Sequence, residues 1–201
     1  MNTAQEQRNF LFEIRAESDE KTGNFLSGKP IVYESKTNIG MFDEIIKTGA
    51  LKECDLSDIR FLINHDTNMI PLARYCKDSS DNTMTMSVDD GGMNIRVQLD
   101  TENNADARKL YSAVQRGDIS GMSFMFTVDD EEWLDMETEH PTRIITKIGK
   151  VFEVSAVTFP AYGDTTISAR SKQTLDAARS TQDKADGVEL EKLKAKYLYN
   201  I

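Results

Sequence analysis

Short segments in which apolar and polar residues alternate recur along most of this 201-residue chain. Such alternation places every second side chain on the same face and predicts half-buried β-strands. Strands are predicted at Phe10–Arg15, Pro30–Tyr33, Arg60–Asn64, Pro71–Tyr75, Thr83–Val88, Met93–Leu99, Ile119–Val128, Glu131–Met136, Arg143–Ile148 and Val151–Phe159. A mixed segment with Phe42, Ile45 and Ile46 favours a short helix that ends at Gly49.

Turn and cap residues punctuate this pattern. The acidic, glycine-containing segment Asp89–Gly92 lies between two predicted strands and is typical of a β-hairpin. A helix is predicted at Asn104–Arg116, where Asn103 or Asn104 can cap its start and Gly117 suits its end. Its apolar residues recur at i, i+3, i+4 and i+7 and are Ala107, Leu110, Tyr111 and Val114.

The order of these elements predicts the fold class and the domains. Many short strands and one clear central helix predict a β-rich α+β fold, with a few helices around a β-barrel or a strongly curved sheet. After about Ser168 the chain changes: Ser171–Gly187 is charged and poor in apolar residues, which predicts a linker or frayed helix. Val188–Ile201 regains an apolar helical stripe. We therefore expect one domain at 1–167, then a charged linker and an amphipathic helix at 168–201 that completes the core or tethers the domain to other proteins.

Composition and charge limit the partners, the cellular compartment and the cofactors that we expect. A formal net charge of −10 argues against a general binder of nucleic-acid backbones, and no apolar run approaches the length of a membrane span. The N-terminus lacks the basic start and apolar core of a secretory signal. Cys54 and Cys76 sit in no metal-binding or redox spacing, which favours a reducing cytoplasm. With 2 histidines and no phosphate loop or metal motif, no cofactor is expected.

Three of the predicted strands or their ends carry a reactive side chain in apolar surroundings. His65 follows the strand RFLIN, Ser123 lies within ISGMSFMF, and Glu153 lies within VFEVSAV. A histidine or glutamate in such surroundings is costly to bury without a partner, so the three residues could meet and satisfy one another. A serine nucleophile, an imidazole base and an orienting carboxylate are what acyl transfer needs.

Other interpretations of these residues stay open on the sequence alone. Ser120 is a rival nucleophile, and strict alternation places it on the face opposite Ser123. Asp66 could replace Glu153 as the third member or simply form a turn. The segment around Ser123 is not the G-x-S-x-G turn of α/β-hydrolases, because Met125 occupies the second glycine position, which disfavours an esterase of that type.

Four segments together resemble a known family, the capsid-maturation (prohead) serine proteases of tailed bacteriophages. In chain order they are Asn38–Leu51, Asn64–Arg74 with its N-H-D and L-A-R motifs, Arg116–Phe124 (RGDISGMSF), and Phe152–Tyr162 (FEVSAVTFPAY). The similarity runs from about Phe10 to Arg170. Two positions depart from the family pattern: Thr48 stands where proline is usual, and Met125 stands where glycine is usual.

The resemblance implies both a fold and a function. The family's fold is similar to that of the herpesvirus assemblins, a curved β-barrel ringed by helices, and its site residues correspond here to His65, Ser123 and Glu153. It further implies an endopeptidase that cleaves itself and capsid or scaffolding segments inside the immature capsid, in the host cytoplasm. No cofactor, nucleic acid or membrane is implied, and the chain could form a homo-oligomer. The alternative is a non-catalytic internal scaffold or capsid-core protein that binds capsid subunits.

Overall fold

The computed structural model describes residues 5–10, 14–20, 23–158 and 165–198. The strands in these residues are β1 (Glu6–Phe10), β2 (Ile14–Asp19), β3 (Gly23–Val32), β4 (Thr37–Asn38), β5 (Asp43–Ile46), β6 (Asp58–Ile63), β7 (Ala73–Cys76), β8 (Met84–Asp89), β9 (Gly92–Leu99), β10 (Gly121–Leu134) and β11 (Thr142–Val157). The helices are α1 (Ala105–Arg116) and α2 (Thr165–Leu198).

The larger sheet has seven strands and is built around the antiparallel pair β10 and β11. β1 pairs with the free side of β10 and forms one edge. β11 is long enough to hold two parallel partners in succession, β5 along its first part and β6 along its last part. This arrangement matters for the site because it sets the end of β6 beside the end of β11 and the start of β10.

The second sheet has four strands in the order β2, β3, β9, β8. One apolar cluster draws on both sheets and on α1; its members include Leu26, Ile31, Phe61, Val97, Leu110, Phe124, Phe126 and Val154. The β-rich α+β class expected from the sequence is confirmed. The described strands form two sheets rather than a closed barrel, so the predicted barrel is not found in this part of the chain.

Local signals account for several elements as expected. The predicted hairpin is present, with β8 and β9 antiparallel around Asp89–Gly92. α1 begins after Asn104, whose side chain accepts hydrogen bonds from the backbone N–H groups of Asp106 and Ala107 at 2.9 and 3.2 Å. It ends at Gly117, which has a φ of 80° that favours glycine.

Other elements differ from the predicted ones, because pairing with strands distant in sequence outweighs the local pattern of apolar and polar residues. The segment expected to be a short helix is β5, which pairs with β11 in parallel and buries Ile46. The four strands expected between residues 119 and 159 are two long ones, β10 and β11. Register shifts between Met125 and Val128 and on to Glu131 bend β10, so the alternation breaks without the strand ending.

In the C-terminal region, the segment expected to be a linker or a frayed helix is helical. α2 is continuous through 171–187, and Leu175 packs with Ile39, Phe42 and Met136 in a second apolar cluster. Arg179 donates a hydrogen bond to the carbonyl oxygen of Thr138 at 2.9 Å. The first part of the helix therefore contacts the sheet region, although its sequence is mostly polar.

A buried ion cluster joins β1, β5 and β10 to the first part of β11. The guanidinium of Arg143 is 0% exposed and donates to Glu6 of β1, Glu44 of β5 and Glu131 of β10. Burial alone would lower the pKa of Arg143, but the hydrogen bonds to Glu6 and the charges of Glu44 and Glu131 outweigh it and hold that pKa above its usual range. Removal of one partner of such a cluster is costly because it leaves buried charges unpaired.

Candidate active site

The register of three strands brings the predicted site residues together. Ser123 on β10 lies directly opposite Ser155 on β11, and Glu153 lies two residues earlier on the same face of β11. On the other side of β11, Leu62 of β6 is the partner of Ser155. β6 ends one residue later, and the chain turns so that His65 follows immediately.

The three side chains form a continuous hydrogen-bonded series. Ser123 Oγ lies 2.5 Å from His65 Nε2, and His65 Nδ1 lies 2.6 Å from Glu153 Oε1. An ionised carboxylate can only accept, so Nδ1 carries the proton and donates to Glu153. Nε2 is then the basic nitrogen, and it accepts the hydrogen bond from the Ser123 hydroxyl.

This series lies inside the protein. Ser123 is 0% exposed, Glu153 is 3% exposed, and the side chain of His65 is 11% exposed. Electrostatic interactions are stronger in such surroundings than in water. Ser123 lies on β10 between β1 and β11, with Asn9 and Ser155 as its strand partners.

The backbone that carries His65 adopts an unusual conformation. Asn64 and His65 have φ values of 52° and 58°, in the left-handed region that L residues rarely adopt. The turn is held by Asn64, whose Nδ2 donates to Thr158 Oγ1 at 3.0 Å and whose Oδ1 accepts from the Thr158 N–H at 2.9 Å. The Asn64 N–H also donates to the Ala156 carbonyl at 3.0 Å. Strained backbone of this kind persists where surrounding contacts fix it, and it often occurs at functional sites.

Sequence reasoning missed Asn64, Thr158 and Ser155 as supporting residues. Asparagine tolerates the left-handed region better than most residues, so its position before His65 was the one available signal. Ser155 gave none, because a serine that alternates within an apolar strand looks like an ordinary small core residue.

The rival residues lie elsewhere. Ser120 is exposed and precedes β10, and no described hydrogen bond joins it to His65. Asp66 is exposed and accepts from the Asn68 N–H at 2.9 Å. The second histidine of the chain, His140, lies in an exposed turn, where its Nε2 is 3.0 Å from Asp43 Oδ1.

The described residues contain no candidate metal site and no candidate membrane-spanning helix. In this part of the chain, no group of three or more histidine, cysteine, aspartate or glutamate side chains is placed to hold a metal ion. Neither α1 nor α2, as far as each is described, is apolar over a stretch long enough to cross a membrane.

In this site a serine hydroxyl is hydrogen-bonded to one imidazole nitrogen, and the other nitrogen is hydrogen-bonded to a carboxylate. This is the arrangement by which serine hydrolases are recognised. Residues 12–180 match the family model of the caudovirus prohead serine proteases, and the chain belongs to that family. It is 31% identical over 160 residues to the prohead protease of Enterobacteria phage HK97, across 78% of this chain and 64% of that relative. The chain thus spans less than two thirds of the length of this curated relative.

One solved structure shows a weaker similarity. The capsid assembly protease of bacteriophage T4 aligns with a TM-score of 0.40 and 13% sequence identity, across 77% of this chain and 99% of that chain. This TM-score is too low to establish a common fold.

Proposed function

We propose that this chain is a serine endopeptidase that cleaves capsid or scaffolding precursor segments, and itself, during assembly of a phage capsid. The observation that carries the proposal is the hydrogen-bonded series Ser123–His65–Glu153 in a chain of the prohead protease family. On this proposal the enzyme works inside the immature capsid in the host cytoplasm, and its substrates are proteins.

The geometry supports a defined division of labour. Ser123 Oγ attacks the scissile carbonyl carbon while His65 Nε2 takes the hydroxyl proton, which gives a tetrahedral oxyanion. His65 then delivers that proton to the leaving amine, and an acyl-enzyme on Ser123 remains until water, activated by the same imidazole, hydrolyses it. Glu153 holds the tautomer with the proton on Nδ1 and stabilises the imidazolium that forms in both steps.

The sequence further predicts a protease domain at 1–167, a C-terminal segment at 168–201 and a fold like that of the assemblins. Val188 and Leu190 in the later part of α2 are 54% and 53% exposed. The tethering role of this segment is a prediction from its sequence.

Cleavage of a precursor tests the proposal against the scaffold alternative. The chain is co-expressed with the major capsid precursor of its phage, and products are followed by gel and by intact-mass spectrometry. We expect defined cleavage of the precursor and shortening of the chain itself. If the two proteins co-assemble while both keep their full mass, the chain acts as a non-catalytic scaffold and the protease proposal is wrong.

A further inference from the structure

We infer that Ser155 is a positioning residue that fixes both the backbone and the ring of His65, an inference that rests on the proposed function. Ser155 is 0% exposed and lies on β11 between Ser123 of β10 and Leu62 of β6. It contributes no atom to the Ser123–His65–Glu153 series. Its hydroxyl nevertheless contacts two of the three members, one through a backbone atom and one through a side chain.

The contacts close a ring. The His65 N–H donates to Ser155 Oγ at 3.2 Å, and Ser155 Oγ donates to Glu153 Oε2 at 2.5 Å. The other carboxylate oxygen, Glu153 Oε1, accepts from His65 Nδ1 at 2.6 Å. These three hydrogen bonds form a closed circuit. It starts at the His65 backbone, passes through Ser155 and Glu153, and returns to the His65 imidazole.

Two consequences follow from a closed ring of this kind. Both oxygens of the buried Glu153 carboxylate are engaged, so its plane cannot rotate without breaking a hydrogen bond. The left-handed backbone of His65 is also hydrogen-bonded to Ser155, on the strand that carries Glu153. Both the position of the His65 backbone and the orientation of its imidazole are therefore fixed. The Ser155 hydroxyl therefore helps Asn64 to set the distance between His65 Nε2 and Ser123 Oγ, and misplacement by about 1 Å can cost about 10²-fold in rate.

Removal of the hydroxyl also changes the proton balance of the pair. Ser155 donates to the charged form of the carboxylate, and a hydrogen bond to the charged form favours that form. Without the Ser155 hydroxyl, the coupled His65–Glu153 pair binds a proton more tightly. The protonation that inactivates His65 as a base therefore occurs at a higher pH. The acid limb of the pH–rate profile should therefore move to higher pH, which a purely structural role for Ser155 does not require.

The test compares Ser155→Ala with the wild type by two readouts. The first is the rate at which a fluorophosphonate labels Ser123 as a function of pH, normalised to the maximum of each variant. The second is the downfield ¹H NMR signal of the His65 Nδ1 proton, which needs no turnover. We expect labelling to slow about 10- to 100-fold, the acid limb to move to higher pH, and the NMR signal to shift or to broaden through exchange with water.

Controls keep the outcomes separate. Ser171→Ala removes a buried serine hydroxyl from α2 and should leave both readouts unchanged. Ser155→Cys retains the volume with a weak donor and replaces the alanine variant if that one does not fold. A folded variant with wild-type labelling, pH profile and NMR signal overturns the inference. A wild type that is never labelled at Ser123 overturns the proposed function instead, and the NMR signal still decides the role of Ser155.

Discussion

Ser123→Ala is expected to abolish precursor cleavage, with a fall in kcat on the order of 10⁶-fold. The reason is that Ser123 Oγ, which lies 2.5 Å from His65 Nε2, is the hydroxyl placed to lose its proton to this base. Alanine fits the space with the loss of one oxygen, and the strand pairing of β10 does not depend on that atom. Cleavage is measured with a fluorogenic peptide that spans a site identified in the precursor, and circular dichroism checks the fold.

Ser120→Ala is the matched control for this variant. Ser120 is the rival nucleophile three residues earlier, and it is exposed at the start of β10. Its removal should leave kcat within about twofold of the wild type, because surface substitutions away from special features usually have small effects. Normal cleavage by Ser123→Ala together with lost cleavage by Ser120→Ala would reverse the assignment of the nucleophile.

Glu153→Gln should lower kcat by about 10³- to 10⁴-fold and leave KM nearly unchanged. The amide can still contact His65 Nδ1, but its NH₂ group can present a donor where the carboxylate only accepts, which favours the wrong tautomer. Some activity should remain, since a neutral side chain of the same shape still fills the site. Steady-state kinetics on the same peptide separate the two parameters.

Asp66→Asn separates the two candidates for the third member. Asp66 lies next to His65 in sequence but is exposed and bonds the backbone of Asn68. This variant should therefore cleave at close to the wild-type rate. If Asp66→Asn loses activity and Glu153→Gln does not, the carboxylate that orients His65 has been misassigned.

The candidate residues could be predicted from sequence because each combines unusual chemistry with an apolar strand. His65 and Glu153 are costly to bury alone, and this cost is what indicated that they meet. The choice between Ser123 and Ser120, and between Glu153 and Asp66, needed the strand register, because sequence spacing cannot show which strands are neighbours. Ser155 could not be found from sequence, since its importance depends on a hydrogen-bond ring that joins β6 and β11.

The elements of the fold that could be predicted are likewise those that depend on residues close in sequence. The hairpin around Asp89–Gly92 and the ends of α1 depend on residues close in sequence, and both were predicted. β5 was expected to be a helix because its strand state depends on pairing with β11, almost 100 residues away. Residues 171–187 were expected to be a linker or a frayed helix because they include few apolar residues. They are part of α2, in which Leu175 is buried in an apolar cluster.

The central claim is that Ser123 is a nucleophile activated by His65, and active-site labelling tests it most directly. The protein is treated with a fluorophosphonate, digested, and the labelled peptide is sequenced by mass spectrometry, with His65→Ala treated in parallel. We expect one label, on Ser123, in the wild type, and labelling slowed by several orders of magnitude in His65→Ala. A wild type that takes up no label, carries it on another serine, or reacts equally well without the imidazole would contradict this account.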